Sequence, residues 1–282
     1  MKALVLYTGF SGRKDFSPKI PLVKKTLAGC FSDLDFISCE KPGNLASVSK
    51  EKASQYDVFI VVGGDGTFNT VVNALSPLEK IPVLGYLNFG TLGDIGKNFG
   101  VTRSLRKALA IIKAGHIESF DVGKIGDSYF GYVAAFGCYS DIAYRVSRGL
   151  KKRWGKATYY GLAAKEAFRP AQYAVRYVAN GKTVTRLVPF LMVMNGNSIG
   201  GFRVNRIGST HDGLLELFIP KQAPFNGLVQ TLLSPWSEVV QVSSVDIHPL
   251  DYLPWCLDGE KGPSGRVQIS VLPGRLKVFS KK

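Results

Sequence analysis

No stretch of this sequence approaches the roughly 20 consecutive apolar residues that a helix needs to cross a bilayer. The first residues, Met1-Lys2 and then the run Ala3-Leu4-Val5-Leu6-Tyr7, are too short for a signal-peptide core and lack a small-residue cleavage site. Any membrane contact is therefore expected to be peripheral. Cysteine is scarce: Cys30, Cys39, Cys138 and Cys256 lie far apart, with no C-x-x-C spacing. That argues against a zinc ribbon or a disulfide framework and fits a reducing compartment. Acidic residues are in deficit, 21 Asp+Glu against 36 Lys+Arg, for a formal net charge of +15. A chain this basic either seeks polyanions (nucleic acid, anionic lipid surfaces, phosphorylated substrates) or simply carries a basic soluble surface.

What is present is the composition of a globular protein, 45% hydrophobic and 20% charged, without internal repeats or low-complexity tracts. Its length allows one large domain or two of ordinary size. Over the first 118 or so residues, strand and helix signals alternate: strands at 3–7, 34–38, 57–62 and 82–87, helices at 18–31, 68–75 and 105–114. That alternation predicts a parallel sheet covered on both faces. Beyond Ser119, short apolar runs at 122–125, 129–135, 174–179, 188–194, 214–219, 242–247, 267–272 and 276–279 sit between glycine and polar turns. They predict an antiparallel sandwich or barrel, with one helical exception at about 142–168. The expected organisation is an α/β domain over 1–118 and a mostly-β domain over 119–282, the last few residues free to pack back on the first. The cleft between two such domains is the expected active site.

The most specific feature follows the third strand: D-V-F-I-V-V, then Gly63-Gly64-Asp65-Gly66-Thr67-Phe68-Asn69. Three glycines in four positions let successive backbone N–H groups point into one concavity, and the next helix adds its positive end. Both favour a phosphate. A tight strand-to-helix turn would also need glycine, but Asp65 argues for more, since a carboxylate beside a phosphate cradle makes sense with a metal ion or a proton to move. The pattern is neither G-x-x-x-x-G-K-[ST] nor G-x-G-x-x-G.

The run G-G-D-G-T-x-N-x-V-V-N-A-L resembles the signature of the diacylglycerol kinase catalytic domain, shared by sphingosine kinases and soluble bacterial lipid kinases. NAD kinases are more distant relatives carrying G-G-D-G-T. The likeness continues in order along the chain. Gly90-Thr91-Leu92-Gly93-Asp94 resembles the family's G-T-x-N-D, and Phe120-Asp121-Val122-Gly123 the start of its second domain. Asn195-Gly196 with Gly200-Gly201, Asp212-Gly213-Leu214-Leu215-Glu216-Leu217 and Asp258-Gly259-Glu260 resemble its N-G…G-G, D-G-x-L-D-V and D-G-E elements. There are departures. The first-strand motif N-P-x-S-G reads Thr8-Gly9-Phe10-Ser11-Gly12, the G-T-x-N-D asparagine is Gly93, the glutamate often found after Asn69 is Thr70, and D-D-G is His211-Asp212-Gly213.

This resemblance implies a Rossmann-like nucleotide-binding domain, an antiparallel β-sandwich lipid-substrate domain, and phosphoryl transfer from ATP with Mg²⁺ to a lipid hydroxyl. It implies nucleotide contacts at Thr8, Ser11, Gly12, Gly63, Gly64, Asp65, Gly66, Thr67, Phe68, Asn69, Thr70 and Thr91. Cys39 stands where the family's threonine after the second strand would fall. Catalytic roles fall to Asp65, Asp258 and Glu260, with Glu260 as general base; without the resemblance, Asp258-Gly259-Glu260 reads as a solvated hairpin turn. Asp212, with the carbonyls of Ser209 and Leu214, corresponds to a second, structural Mg²⁺ site of bacterial relatives, and His211 lowers the charge there.

Arg145, Arg148, Lys151, Lys152, Arg153 and Lys156 lie in a segment with no acidic residue between Asp141 and Glu166, interleaved with Trp154, Tyr159 and Tyr160. Such a mixture suits an anionic membrane interface or a solvated basic face. No recognition motif for nucleic acid accompanies it. The expectation is a cytoplasmic kinase, peripheral at the inner face of the membrane, with a homodimer compatible but not legible. A kinase of a soluble substrate such as NAD and a non-catalytic nucleotide- or lipid-binding relative stay open.

Overall fold

Two compact units make up the chain, residues Met1–Phe120 with Gly274–Lys282, and residues Asp121–Pro273. The computed structural model describes residues 1–8, 15–41, 43–138, 172–199, 202–205, 207–220 and 237–281.

In the first unit the strands are β1 (Lys2–Tyr7), β2 (Asp33–Ser38), β3 (Val58–Gly63) and β4 (Val83–Asn88). The helices are α1 (Ile20–Leu27), α2 (Asn44–Lys52), α3 (Asp65–Leu75), α4 (Asp94–Asn98) and α5 (Leu105–Ala114). The strands pair in parallel in the order β2-β1-β3-β4. All six residues of β3, Val-Phe-Ile-Val-Val-Gly, are buried, which is why this strand reads as an unbroken apolar run rather than an alternation. Phe68 on α3 packs on Tyr86 and Phe99, and Phe99 on Phe120, an aromatic stack that fixes α3 against the sheet. At the far end of α3, Arg275 donates to the carbonyls of Ser76 (2.8 Å) and Leu78 (2.7 Å), satisfying acceptors that the helix leaves open.

The second unit holds β5 (Ile117–Ile125, which begins in the first unit), β6 (Ser128–Phe130), β7 (Val133–Gly137), β8 (Tyr173–Ala179), β9 (Lys182–Val188), β10 (Phe190–Met194), β11 (Ser198–Ile199) and β12 (Phe202–Arg203). It continues with β13 (Leu215–Pro220), β14 (Ser237–Val242), β15 (Ser244–Pro249), β16 (Pro254–Leu257), β17 (Glu260–Ser264) and β18 (Val267–Phe279), whose end lies in the first unit. One antiparallel sheet runs β14-β13-β10-β7-β16-β17; the other contains β18-β15-β8-β9. Trp255, Phe136, Leu191, Val193 and Leu217 from the first meet Val175, Tyr177, Ile247 and Ile269 from the second in one buried core. This is the sandwich that the alternating apolar runs predict.

Several elements differ from the sequence reading. The segment 18–31 is shorter as a helix, a 3₁₀ turn at Ser17–Lys19 leading into α1. Residues 129–135 split into β6 and β7, and 242–247 straddles the break at Ser243 where the chain passes from β14 in one sheet to β15 in the other. The runs 267–272 and 276–279 form one strand. Helices α2 and α4 had no apolar periodicity to announce them. The expected helix at 142–168 lies outside the described residues.

Candidate active site

Strands β3 and β4 end in register, Gly63 opposite Asn88, so the turns that leave them emerge side by side. The Phe89 N–H donates to the Gly63 carbonyl at 2.8 Å. A Cβ on Gly90 would lie 2.4 Å from the Gly64 Cα, and one on Gly63 would lie 2.4 Å from the Thr67 side chain. Gly64 and Gly90 are there because two backbones touch, and Gly63 because the Thr67 side chain lies against it. Helix α3 then begins at Asp65, with Gly64 extended at its N-cap and no side chain capping that end. Amides of a first helical turn that no side chain caps, together with the helix dipole, suit an anion.

The Asp65 carboxylate reaches across to the neighbouring loop. Its Oδ2 accepts the Gly93 N–H at 2.8 Å and its Oδ1 the Ile95 N–H at 3.2 Å. Asp65 thereby caps α4, whose N-cap Gly93 sits at φ +70°. Burial, then the charge of Asp94, raise Asp65 to about 6, while the amides of Gly93, Ile95 and Asp94 pull the other way. The expected catalytic role of Asp65 is corrected accordingly. Both oxygens are committed to backbone amides, so it is a positioning residue that locks the G-G-D-G-T turn to the 90–95 loop rather than a proton acceptor.

Sequence reasoning gave no role to Asp94, although the motif contains it. Its side chain is fully buried, 3.1 Å from the Lys97 ammonium. Burial and the charges of Asp65 and Asp94 push the Tyr86 hydroxyl well above its usual range. The available signal was a second acidic residue opening a second helix directly after a glycine turn.

The other expected nucleotide contacts divide. Gly63, Gly64, Gly66, Thr67 and Thr91 lie on or beside the two loops, and Thr8 follows the end of β1. Asn69 is buried and accepts from Asn73 Nδ2, and the Thr70 hydroxyl bonds back to the Gly66 carbonyl at 2.9 Å. Phe68 and Cys39 are corrections. Phe68 is fully buried in the aromatic stack, and its N–H is taken by the Gly64 carbonyl. Cys39 is buried as well, its thiol pushed up and so held neutral by that burial. Neither side chain is offered to a ligand. Ser11 and Gly12 lie outside the described residues.

In the second unit, Asp258-Gly259 is the two-residue turn between β16 and β17, with φ +51° and +92°. A hairpin turn positive at both central residues favours this dipeptide. Asp258 is nonetheless only 3% exposed, and its carboxylate accepts the N–H groups of Gly131 (2.5 Å), Tyr132 (3.0 Å) and Val133 (2.9 Å). Asn195 meets the same segment, donating to the Asp121 (2.7 Å) and Gly131 (2.9 Å) carbonyls. The N-G and D-G-E elements, 63 residues apart in sequence, thus clamp one stretch of backbone between β6 and β7. Asp258 is corrected from a catalytic to a positioning residue. Glu260, at the first position of β17, is exposed and held on that clamped turn.

The 209–214 turn, where Asp212 and the carbonyls of Ser209 and Leu214 are the expected cation donors, is organised by hydrogen bonds. Asp212 is exposed and its Oδ1 accepts the Leu214 N–H at 3.1 Å, the Ser209 hydroxyl accepts the His211 N–H at 3.3 Å, and Asp121 accepts the Gly213 N–H at 2.8 Å. Hydrogen bonds from the Leu214 and Gly213 N–H groups to Asp212 and Asp121 hold the turn. Nearby, fully buried Glu216 accepts from Asn205 Nδ2 (2.8 Å) and Gln241 Nε2 (3.3 Å), and burial raises it to about 7. Among the described residues, no three His, Cys, Asp or Glu side chains cluster as a metal site, and no helix is long and apolar enough to cross a membrane. Arg145, Arg148, Lys151, Lys152, Arg153 and Lys156 lie outside the described residues.

Known proteins share this fold. A solved structure from Bacillus anthracis str. Sterne matches 99% of the chain and 97% of its own length, with a TM-score of 0.88 at 23% identity. A second, described as a diacylglycerol kinase from the same strain, matches over the same shares with a TM-score of 0.83 at 24% identity; both likenesses speak to fold. In sequence, the diacylglycerol kinase of Staphylococcus carnosus is 28% identical over 100% of this chain and 95% of its own length. That of Bacillus subtilis (strain 168) is 31% identical over 229 residues, 79% of this chain and 74% of the relative. Residues 2–125, which carry both glycine loops, match the profile of the diacylglycerol kinase catalytic domain. With the loops, the clamped D-G-E turn and these likenesses in agreement, the chain belongs to the diacylglycerol kinase family of lipid kinases.

Proposed function

We infer that this protein transfers the γ-phosphate of ATP to a hydroxyl of a diacylglycerol-like or sphingoid lipid at an anionic membrane surface. The observation that carries this reading is the Asp65 carboxylate, which ties two glycine turns together at the uncapped start of α3. The first unit, Met1–Phe120 with Gly274–Lys282, serves the nucleotide, and the second, Asp121–Pro273, the lipid. Backbone amides at the start of α3 hold phosphate oxygens, and Asp65 fixes the loops around them. Glu260 takes the proton from the lipid hydroxyl as its oxygen bonds to the γ-phosphorus, and the bond to the ADP oxygen breaks. Mg²⁺ enters with the nucleotide, and when bound it offsets phosphate charge. The fully buried carboxylate of Asp94 is hard-oxygen chemistry that suits such a cation.

The acceptor class is tested with labelled ATP and a set of alcohols: diacylglycerol, a sphingoid base and phosphatidylglycerol in mixed micelles, with NAD and glycerol in plain buffer. Turnover should require the micelles and rise with the surface fraction of lipid. Saturable phosphorylation of NAD without lipid would favour a soluble-substrate kinase.

The basic segment supplies the surface contact in this reading, each Lys or Arg contributing on the order of 1 kcal/mol near an anionic bilayer. Reversing the charges of Lys151, Lys152 and Arg153 together should weaken binding to anionic vesicles and raise the apparent KM for lipid. The affinity for ATP should hardly move. High salt should shrink the difference through screening, whereas equal vesicle binding at low salt would leave these charges as a solvated face. The protein acts at the inner face of the membrane as a peripheral enzyme, without nucleic acid as a partner.

A further inference from the structure

The departure at Gly93 has a counterpart elsewhere in the same site. Asn88, the last residue of β4, is 7% exposed, and its Oδ1 accepts the Gly90 N–H at 2.9 Å. That bond fixes which way round the amide lies, so Nδ2 points the other way, toward residue 93. A Cβ built on Gly93 would fall 1.9 Å from Asn88 Nδ2, 3.0 Å from its Cγ and 3.4 Å from its Oδ1. The space that a side chain at 93 would need is filled by the amide of Asn88. Residue 93 also sits at φ +70°, a conformation in which asparagine is among the best-tolerated alternatives to glycine. Steric occupation by Asn88 therefore decides for glycine here, not backbone conformation alone.

The Asn88 side chain is more than nine-tenths buried, yet its Nδ2 is not fully enclosed and makes no hydrogen bond among the described residues, so a ligand can reach it. An accessible amide donor on an otherwise buried side chain exchanges water for an anion oxygen at little cost and gains a charge-assisted hydrogen bond. Around it lie the Gly64–Gly90 contact and Gly93, whose N–H is held by Asp65. An oxygen-rich anion seated on these loops supplies what Nδ2 lacks. We propose that Asn88 is a nucleotide-contacting residue whose amide donates to a phosphate oxygen of the triphosphate. From the end of β4 it delivers the carboxamide that the G-T-x-N-D pattern carries at position 93, so Asn88 and Gly93 form one unit that must change together. This rests on the kinase reading only for the identity of the anion.

The test is a reciprocal exchange, read first by calorimetric ATP binding and thermal stability and then by the KM for ATP against kcat. Asn88→Ala should weaken ATP binding about tenfold or more, as expected for losing a hydrogen bond to a charged group. Gly93→Asn alone should weaken it further, because the new side chain overlaps the Asn88 amide. The double variant Asn88→Ala with Gly93→Asn removes all three obstructing atoms and restores a carboxamide. It should bind ATP within about threefold of the parent.

Asn88→Asp guards against variants that merely misfold. It keeps an acceptor for the Gly90 N–H but has no donor, so it should melt like the parent and still lose ATP affinity. Four results would overturn the proposal: a tolerated Gly93→Asn, a double variant no better than the worse single one, a double variant that regains stability but not ATP affinity, or parent-like ATP binding by Asn88→Asp. A parent that binds ATP yet phosphorylates no lipid would count against the kinase reading, and the binding data would still decide this one.

Discussion

Asp65→Asn is expected to leave the protein folded and to cut turnover at least about 100-fold, the scale set by losing a group that pre-organises charged hydrogen bonding. Asparagine offers one acceptor oxygen where the carboxylate offers two. Either the Gly93 or the Ile95 N–H, now bonded at 2.8 and 3.2 Å, must then face an NH₂ group. The two glycine turns lose their tie, and with it the register of the phosphates against the attacking hydroxyl. A second consequence is visible without substrate. Burial raises Asp65 from 3.8 to about 6, so the folded state holds this proton more tightly than the unfolded chain does. Its contribution to stability is complete below about pH 4 and is lost as pH rises through 6. The two limits differ by something on the order of 3 kcal/mol. Denaturant midpoints of the parent should fall between pH 4 and 7 by more than those of the variant. Turnover and pH dependence both equal to the parent's would reduce Asp65 to an ordinary turn residue.

Glu260→Gln should lower kcat by roughly 10²–10⁴ while ATP affinity stays nearly unchanged, because glutamine keeps the shape of the side chain but cannot accept a proton. The hairpin should survive, since its anchor is the Asp258 carboxylate with its three backbone N–H donors and not Glu260. Melting temperature is therefore the internal control: it should match the parent. A variant with weaker ATP binding and unchanged kcat would move Glu260 from proton acceptance to nucleotide or metal binding. No change in either would return it to a solvated turn.

The parts of the site that were legible beforehand are those written locally. Strand β3 announced itself by six buried apolar or glycine positions, and the next residues by glycines that only a close backbone approach demands. The order of motifs carried the family. What stayed hidden depends on partners distant in sequence. Asp65 could be read as a carboxylate in a phosphate turn, but not as a cap for α4, because its acceptors serve amides 28 and 30 residues away. Asp258 looked like half of a solvated turn, and the groups that bury it lie 125 to 127 residues upstream. Phe68 sits inside the motif yet faces the core, since a helix that presents its first turn to a ligand must pack its next residues on the sheet. Helix α2, Asn-Leu-Ala-Ser-Val-Ser-Lys-Glu-Lys, has too few apolar residues to show a period, and α4 is too short to have one.

The central claim is that this fold moves a phosphoryl group from ATP to a lipid hydroxyl. The most direct measurement incubates purified protein with γ-labelled ATP and diacylglycerol in mixed micelles and identifies the labelled product after organic extraction. Label in phosphatidic acid, produced by the parent and reduced at least about 100-fold in Asp65→Asn and Glu260→Gln, is the predicted result. Label confined to inorganic phosphate or to a water-soluble alcohol, with no lipid on the panel phosphorylated, would contradict it.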